Sequence, residues 1–211
     1  MRVKICGLTK LDQALEIAAR GANSIGFICV ERSPRYISPE QIKEIATALP
    51  SNIDKVGVFA DHSLAEIAEV VKIARLTSVQ LHGSESPEFC DRLCRSLPPD
   101  IELIKAFRIK NTASLREIEA YSNKVDTLLL DAYHPQMLGG TGHTIDWQGL
   151  ERFNPSLPWL LAGGLTPDNI NDALDRLDPD GIDLSSGVER SPGDKDLTKV
   201  TQLFAQRAIV R

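Results

Sequence analysis

PWLLAGGLTPDNINDALDRLDPDGIDLSSG (158–187) decides the fold. It opens on PWLLAG (158–163), an apolar run too short for a helix. Thr166-Pro167-Asp168 then offers a helix start, with a capping hydroxyl and a proline preset for the first turn. DNINDALDRL reads as the helix, and a second short apolar run, GIDLSS (181–186), follows it. A strand, a helix and a strand in that order make a crossover that joins two parallel strands.

The same unit recurs back to the N-terminus. Further short runs are VKIC (3–6), SIGFICV (24–30), KVGVFA (55–60), SVQLH (78–82), ELIKAF (102–107) and DTLLLDA (126–132). Most are leucine-rich or β-branched and do not alternate cleanly, which points to strands covered on both faces. Helical stretches lie between them. Thr9 precedes KLDQALEIAAR, which Gly21 stops. Ser38-Pro39-Glu40, Ser63, Ser86-Pro87-Glu88 and Thr112 each open another, and a last helix is expected from about Leu197 to Ala208. The stretch after the sixth strand, Trp147 to Phe153, is the weakest. Alternation along the whole chain predicts a single (β/α)8 TIM barrel, one domain over residues 1–211. A doubly wound open sheet is the alternative. It would offer an early G-x-G-x-x-G, whereas the first turn reads CGLTK.

The composition is that of an ordinary soluble domain, with 42% hydrophobic and 25% charged residues. The net charge of −5 speaks against a general nucleic-acid binder, so an anionic ligand has to be held locally. Neither a signal peptide nor a membrane span of roughly 20 apolar residues is visible. A cytoplasmic, reducing compartment follows as the expectation. Cys6, Cys29, Cys90 and Cys94 form no C-x-x-C pair, and the histidines form no H-x-x-x-H pair, so no metal site is expected.

In such barrels the chemistry sits at the C-terminal ends of the strands and in the loops that follow. Cys6 closes the first strand. It reads either as a small buried hydrophobe or as a thiolate base whose pKa is lowered by nearby cations and helix N-termini. Asp131 ends the apolar LLLD run and reads either as a cap or ion-pair partner, or as a general acid. Asp183, at the end of the eighth strand, could orient a substrate or bind a neighbouring loop. Gln80 and His82 read as lining residues. Arg35, in the loop after the second strand, is a candidate fork for a carboxylate. Three glycine clusters follow strands six, seven and eight: Gly139-Gly140-Thr141-Gly142, Ala162-Gly163-Gly164 and Ser185-Ser186-Gly187. Gly142, Gly163, Gly164, Ser185, Ser186 and Gly187 are therefore the expected phosphate cradle, with backbone N–H groups as donors.

The chain resembles the phosphoribosylanthranilate isomerases of tryptophan biosynthesis nearly end to end. The marks are KICGLT (4–9), GANSIGFI (21–28), SPRYIS (33–38), VGVF (56–59), VQLHG (79–83), IKAFR (104–108), LLLDA (128–132), GGTG (139–142) with IDW (145–147), LAGGL (161–165), DLSSGVE (183–189) and PGDKD (192–196). YHPQML (133–138) matches no motif. The resemblance implies a (β/α)8 barrel and an Amadori rearrangement of N-(5-phosphoribosyl)anthranilate without a cofactor. It implies Asp131 as general acid, Cys6 as general base and Arg35 against the anthranilate carboxylate. A monomer is the expected assembly, with a homodimer as the alternative. An indole-glycerol-phosphate synthase would instead show lysine and glutamate at the strand ends, and an epimerase a metal-binding set. A non-catalytic sugar-phosphate sensor would need the cradle without Cys6 and Asp131.

Overall fold

The computed structural model of the chain describes residues 1–110, 112–132 and 147–209. Eight strands pair in parallel in chain order: β1 (Arg2–Cys6), β2 (Ser24–Ile28), β3 (Asp54–Phe59), β4 (Ser78–Leu81), β5 (Glu102–Ile109), β6 (Thr127–Ala132), β7 (Trp159–Leu161) and β8 (Gly181–Leu184). β8 pairs back onto β1, with Val3 opposite Ile182 and Ile5 opposite Leu184. The sheet is thus a closed barrel, as the alternation predicts. Around it lie α1 (Leu11–Ala19), α2 (Pro39–Ala48), α3 (Leu64–Ala74), α4 (Pro87–Ser96), α5 (Ile170–Arg176) and α6 (Leu197–Phe204).

The serine-led helix starts are where the sequence puts them. The Ser38 side chain accepts from the Gln41 backbone and Gln41 answers to the Ser38 backbone, with Pro39 in the first turn. Ser63 and Glu66 form the same reciprocal cap. The Ser86 hydroxyl accepts from the Phe89 backbone N–H.

The threonine-led starts differ. Thr9 does not cap α1, because its hydroxyl donates to the Gly193 carbonyl at 2.7 Å; Lys10 takes the cap position without a side-chain bond. Thr166 opens a turn rather than the helix, and α5 begins at Ile170 after Asn169. Between β5 and β6 the expected α-helix is a 3₁₀ helix, Thr112–Tyr121. Its apolar side chains Leu115, Ile118 and Tyr121 recur every third residue, the spacing that a 3₁₀ turn keeps on one face. A shorter 3₁₀ helix, Trp147–Leu150, stands before β7. α6 stops at Phe204, short of Ala208. Sequence reading also missed an antiparallel ribbon, β9 (Glu189–Ser191) with β10 (Asp194–Lys195), between β8 and α6.

Each barrel strand is buried on both faces, but the two faces differ in chemistry. The outward side chains, such as Val3, Ile5, Ile25, Phe27, Leu128 and Leu130, join the helices in the main core. The inward ones form a smaller apolar layer of Val56, Ile104, Ala106, Leu129, Leu160 and Ala162. Polar groups lie below and above this layer. At the N-terminal end, Arg2 grips Glu102 across the barrel through two bonds of 2.6 and 2.9 Å. Ser78 and Thr127 also donate to Glu102, and Arg2 reaches Ser24 and Asp54. This closes the floor. The open end is the other one.

Candidate active site

A cavity of about 470 Å³ opens at the C-terminal ends of the strands. Cys6, Gln80, His82, Asp131 and Asp183 line it, together with Arg35 and the loops 163–165 and 185–187. Every expected site residue that the structure describes is in this one lining. Gly142, the remaining one, lies outside the described residues, as do its neighbours Gly139-Gly140-Thr141 and Tyr133 and His134.

Cys6 sits on β1 opposite Gly26 of β2. A Cβ at Gly26 would stand 2.6 Å from the Cys6 sulfur, so this glycine makes room for the thiol. The expected drop of the Cys6 pKa is corrected by the surroundings. Burial pushes the thiol up; Lys4 pulls against that, Asp183 adds to it and Lys195 opposes it. The helix N-terminus expected to help is also absent as such, since α1 begins only at Leu11.

Asp131 is on β6, buried, with His82 Nε2 at 3.3 Å from its Oδ2. The other ring nitrogen of His82, Nδ1, lies 3.0 Å from Gln80 Nε2. Gln80, His82 and Asp131 thus form a chain of close polar neighbours along the cavity wall.

Arg35 is also buried. Its Nε and Nη2 hold Glu189 at 2.7 to 3.2 Å, so two of its three nitrogens are committed within the protein. Its stem crosses over Gly7, where a Cβ would stand 2.7 Å from Arg35 Cδ. Gly7 has φ +78°, a conformation suited to glycine. Asp183 accepts from Lys4 Nζ at 3.0 Å.

The loops after β7 and β8 press against each other. Gly163 and Gly164 have φ of +83° and +64°. At Gly187 a Cβ would stand 1.8 Å from the Leu165 carbonyl oxygen, so no side chain fits. Glycines at these points leave main-chain groups bare at the rim, where an anion can approach them closely. The helix dipole expected behind this loop is displaced, since α5 starts six residues after Gly164.

Four residues of this region escaped the sequence reading: Lys4, Glu189, Lys195 and Arg108. Lys195 Nζ is fully buried and donates to Glu189 Oε1 at 2.7 Å, to the Cys6 carbonyl and to the Ser185 carbonyl. It ties the end of β1 to the loop after β8 and to the partner of Arg35. Arg108, opposite Asp131 in the sheet register, lines the cavity from β5. Two signals were available: Lys4 shares a strand face with Cys6 two residues on, and a lysine inside an apolar run needs a partner. Lys195 carried no such signal, because its hairpin is short and polar.

The arrangement sets a thiol and a carboxyl in one cavity, with a bare main-chain rim and the arginines Arg35 and Arg108 in its lining. Among the described residues, no group of His, Cys, Asp or Glu is placed to hold a metal ion.

Known proteins with this sequence pattern point one way. Residues 3–206 match the family model described as N-(5'phosphoribosyl)anthranilate (PRA) isomerase. The N-(5'-phosphoribosyl)anthranilate isomerase of Rippkaea orientalis is 61% identical over 206 residues, covering 98% of this chain and 95% of its own length. The crystal structure of phosphoribosyl anthranilate isomerase from Thermus thermophilus superposes with a TM-score of 0.87 at 36% identity, over 100% of both chains. A crystal structure of this kind of isomerase in complex with reduced 1-(o-carboxyphenylamino)-1-deoxyribulose 5-phosphate has a TM-score of 0.82 at 35% identity, over 97% of this chain and 96% of its own. With the barrel, the cavity at its mouth and these matches in agreement, the chain belongs to the N-(5'-phosphoribosyl)anthranilate isomerase family.

Proposed function

We propose that Asp131 and Cys6 divide the proton transfers of the family's reaction, with Asp131 as general acid and Cys6 as general base. The reaction is the Amadori rearrangement of N-(5'-phosphoribosyl)anthranilate to 1-(2-carboxyphenylamino)-1-deoxyribulose 5-phosphate, an isomerisation in tryptophan biosynthesis. Protonation of the ribose ring oxygen by Asp131 lets its bond to C1 break, and the aniline nitrogen supplies the electrons to form an iminium. The iminium acidifies the proton on C2, and the Cys6 sulfur takes it to give an enolamine. Return of a proton to C1 and loss of the one on the C2 oxygen give the ketone. Substrate and product are isomers, so atoms and electrons balance. Each of the two groups supplies roughly 10²–10⁴-fold.

One observation carries the reading: Cys6 and Asp131 line the same cavity as the loops 163–165 and 185–187. In this reading Gly142, Gly163, Gly164, Ser185, Ser186 and Gly187 hold the phosphate through their backbones. Arg35 offers its remaining nitrogen to the anthranilate carboxylate. Gln80 and His82 steady Asp131, and Asp183 contacts the sugar. The whole chain is one catalytic unit that acts on a small molecule. A monomer is favoured, because among the described residues the exposed large hydrophobics are only Met1, Leu15 and Tyr36. Sedimentation at about 23.2 kDa is the expected result. Cysteines kept as free thiols suit a reducing cytoplasm.

The test is loss of substrate fluorescence with freshly made phosphoribosylanthranilate. Asp131→Asn is expected to lower kcat by about 10²–10⁴-fold while the affinity for a product analogue stays close to normal. A near-normal kcat in that variant removes Asp131 from the chemistry.

A further inference from the structure

The Cys6 sulfur lies among buried charged side chains. Lys4 is fully buried on the inner face of β1, two residues below Cys6, and donates to Asp183 Oδ1 of β8 at 3.0 Å. Lys195 of β10 is equally buried and donates to Glu189 of β9 and to the Cys6 carbonyl. Arg35, from the loop after β2, pairs with the same Glu189 and crosses over Gly7, the residue next to Cys6. Cys29, beyond β2, is the remaining titratable neighbour, and its own thiol is pushed up to about 12, so it stays neutral. Asp131 and His82 face the cavity from β6 and β4. Of these groups Lys4 and Lys195 favour an anion at the sulfur and Asp183 opposes it, while burial disfavours it.

Lys4 stands closest to this account. Lys195 spends its donors on Glu189 and two backbone carbonyls. Lys4 donates to Asp183 and also interacts with the Cys6 thiol. Asp183 competes with the sulfur for the same ammonium.

We infer that Lys4 is a positioning residue for the reaction: its buried ammonium, paired with Asp183 and on the same strand face as Cys6, offsets the burial that disfavours an anion at the sulfur. The inference rests on Cys6 being the base. It gives a role to a lysine that has no contact with the substrate in the reading above. It also explains how a thiol that burial disfavours as an anion can still act.

The experiment measures alkylation of Cys6 by iodoacetamide, followed by peptide mass spectrometry, across pH in the substrate-free protein. The thiolate is the reactive species, so a one-unit rise in the pKa slows the reaction about tenfold at a fixed pH below it. Lys4→Met is expected to slow alkylation at least tenfold, and Lys4→Arg to restore most of it. Asp183→Asn, which removes the competitor and keeps the shape, is expected to speed it. A purely structural role for Lys4 would not move the two variants in opposite directions. A Lys4→Met profile that coincides with wild type, or an Asp183→Asn profile that slows, overturns the inference. If Lys4→Met does not fold, as judged by circular dichroism, Lys4→Arg and Asp183→Asn decide the matter. Cys6→Ser turnover tests the base separately: full activity there sinks the role of Cys6, whereas an inert Cys6→Ser with unmoved alkylation in the other variants sinks only that of Lys4.

Discussion

Single side chains in this site are set by what surrounds them more than by their own type. The room for the Cys6 sulfur comes from Gly26 on the next strand, whose missing Cβ would otherwise stand 2.6 Å from it. Gly26→Ala therefore tests how tightly the thiol is seated. It is expected to leave the barrel folded and to lower kcat by about tenfold or more, because a misplacement of about 1 Å can cost about 10² in rate. Unchanged kcat with unchanged stability would show that the sulfur has slack. Arg35 is a different case. Glu189 aims its guanidinium by holding two nitrogens, so the arginine reaches the cavity already oriented. Arg35→Met should raise KM for the aromatic substrate far more than it lowers kcat, and steady-state kinetics with an unaltered KM would count against that placement.

Elements were legible in proportion to how local their causes are. Ser38, Ser63 and Ser86 cap their helices because a hydroxyl reaches a backbone N–H three residues on, a contact written wholly in sequence. Ser63→Ala should cost about 1 kcal/mol in urea unfolding and leave activity untouched, since α3 is remote from the cavity lining. Thr9 fails as a cap for a non-local reason: its hydroxyl is taken by Gly193, which lies 184 positions away. The ribbon of β9 and β10 was invisible for the same reason. Its two and three residues have no periodicity, and its worth lies in bringing Lys195 and Glu189 under the end of β1. The element between β5 and β6 has a readable apolar pattern, but a period of three lies close enough to 3.6 that sequence alone does not separate a 3₁₀ from an α-helix.

At the scale of the whole molecule the barrel has a closed floor and an open mouth. The floor is the network in which Arg2 spans from β1 to Glu102 of β5, with Ser78 and Thr127 completing the carboxylate. Burial by itself would push the Glu102 carboxyl up, but Arg2, Thr127 and Ser78 outweigh it and hold the carboxyl below its ordinary value. A depressed folded value means that the unfolded chain binds the proton first as pH falls. The stabilisation is complete above the ordinary glutamate range and is lost as pH drops through the folded value. Thermal unfolding between pH 7 and pH 3 should therefore show a falling acid limb that flattens in Glu102→Gln. Parallel acid limbs in the two proteins would show that the floor is not a titrating element. Glu189, held down by Arg35 and Lys195 against its burial, adds to the same limb from the mouth side.

The order of strands and helices, the parallel barrel and the identity of the residues at the strand ends were contained in the sequence. Each depends on local periodicity, on capping chemistry and on the rule that eight consecutive βα units close on themselves. The contacts that make a working mouth were not. Lys4 with Asp183, Lys195 with Glu189 and Cys6, and Arg35 with Glu189 join residues 179, 6, 189 and 154 positions apart. Ion pairing has no period along a chain, and the inside of a barrel exists only once it is shut. Which buried charge meets which beside the sulfur was decided by the closed fold alone.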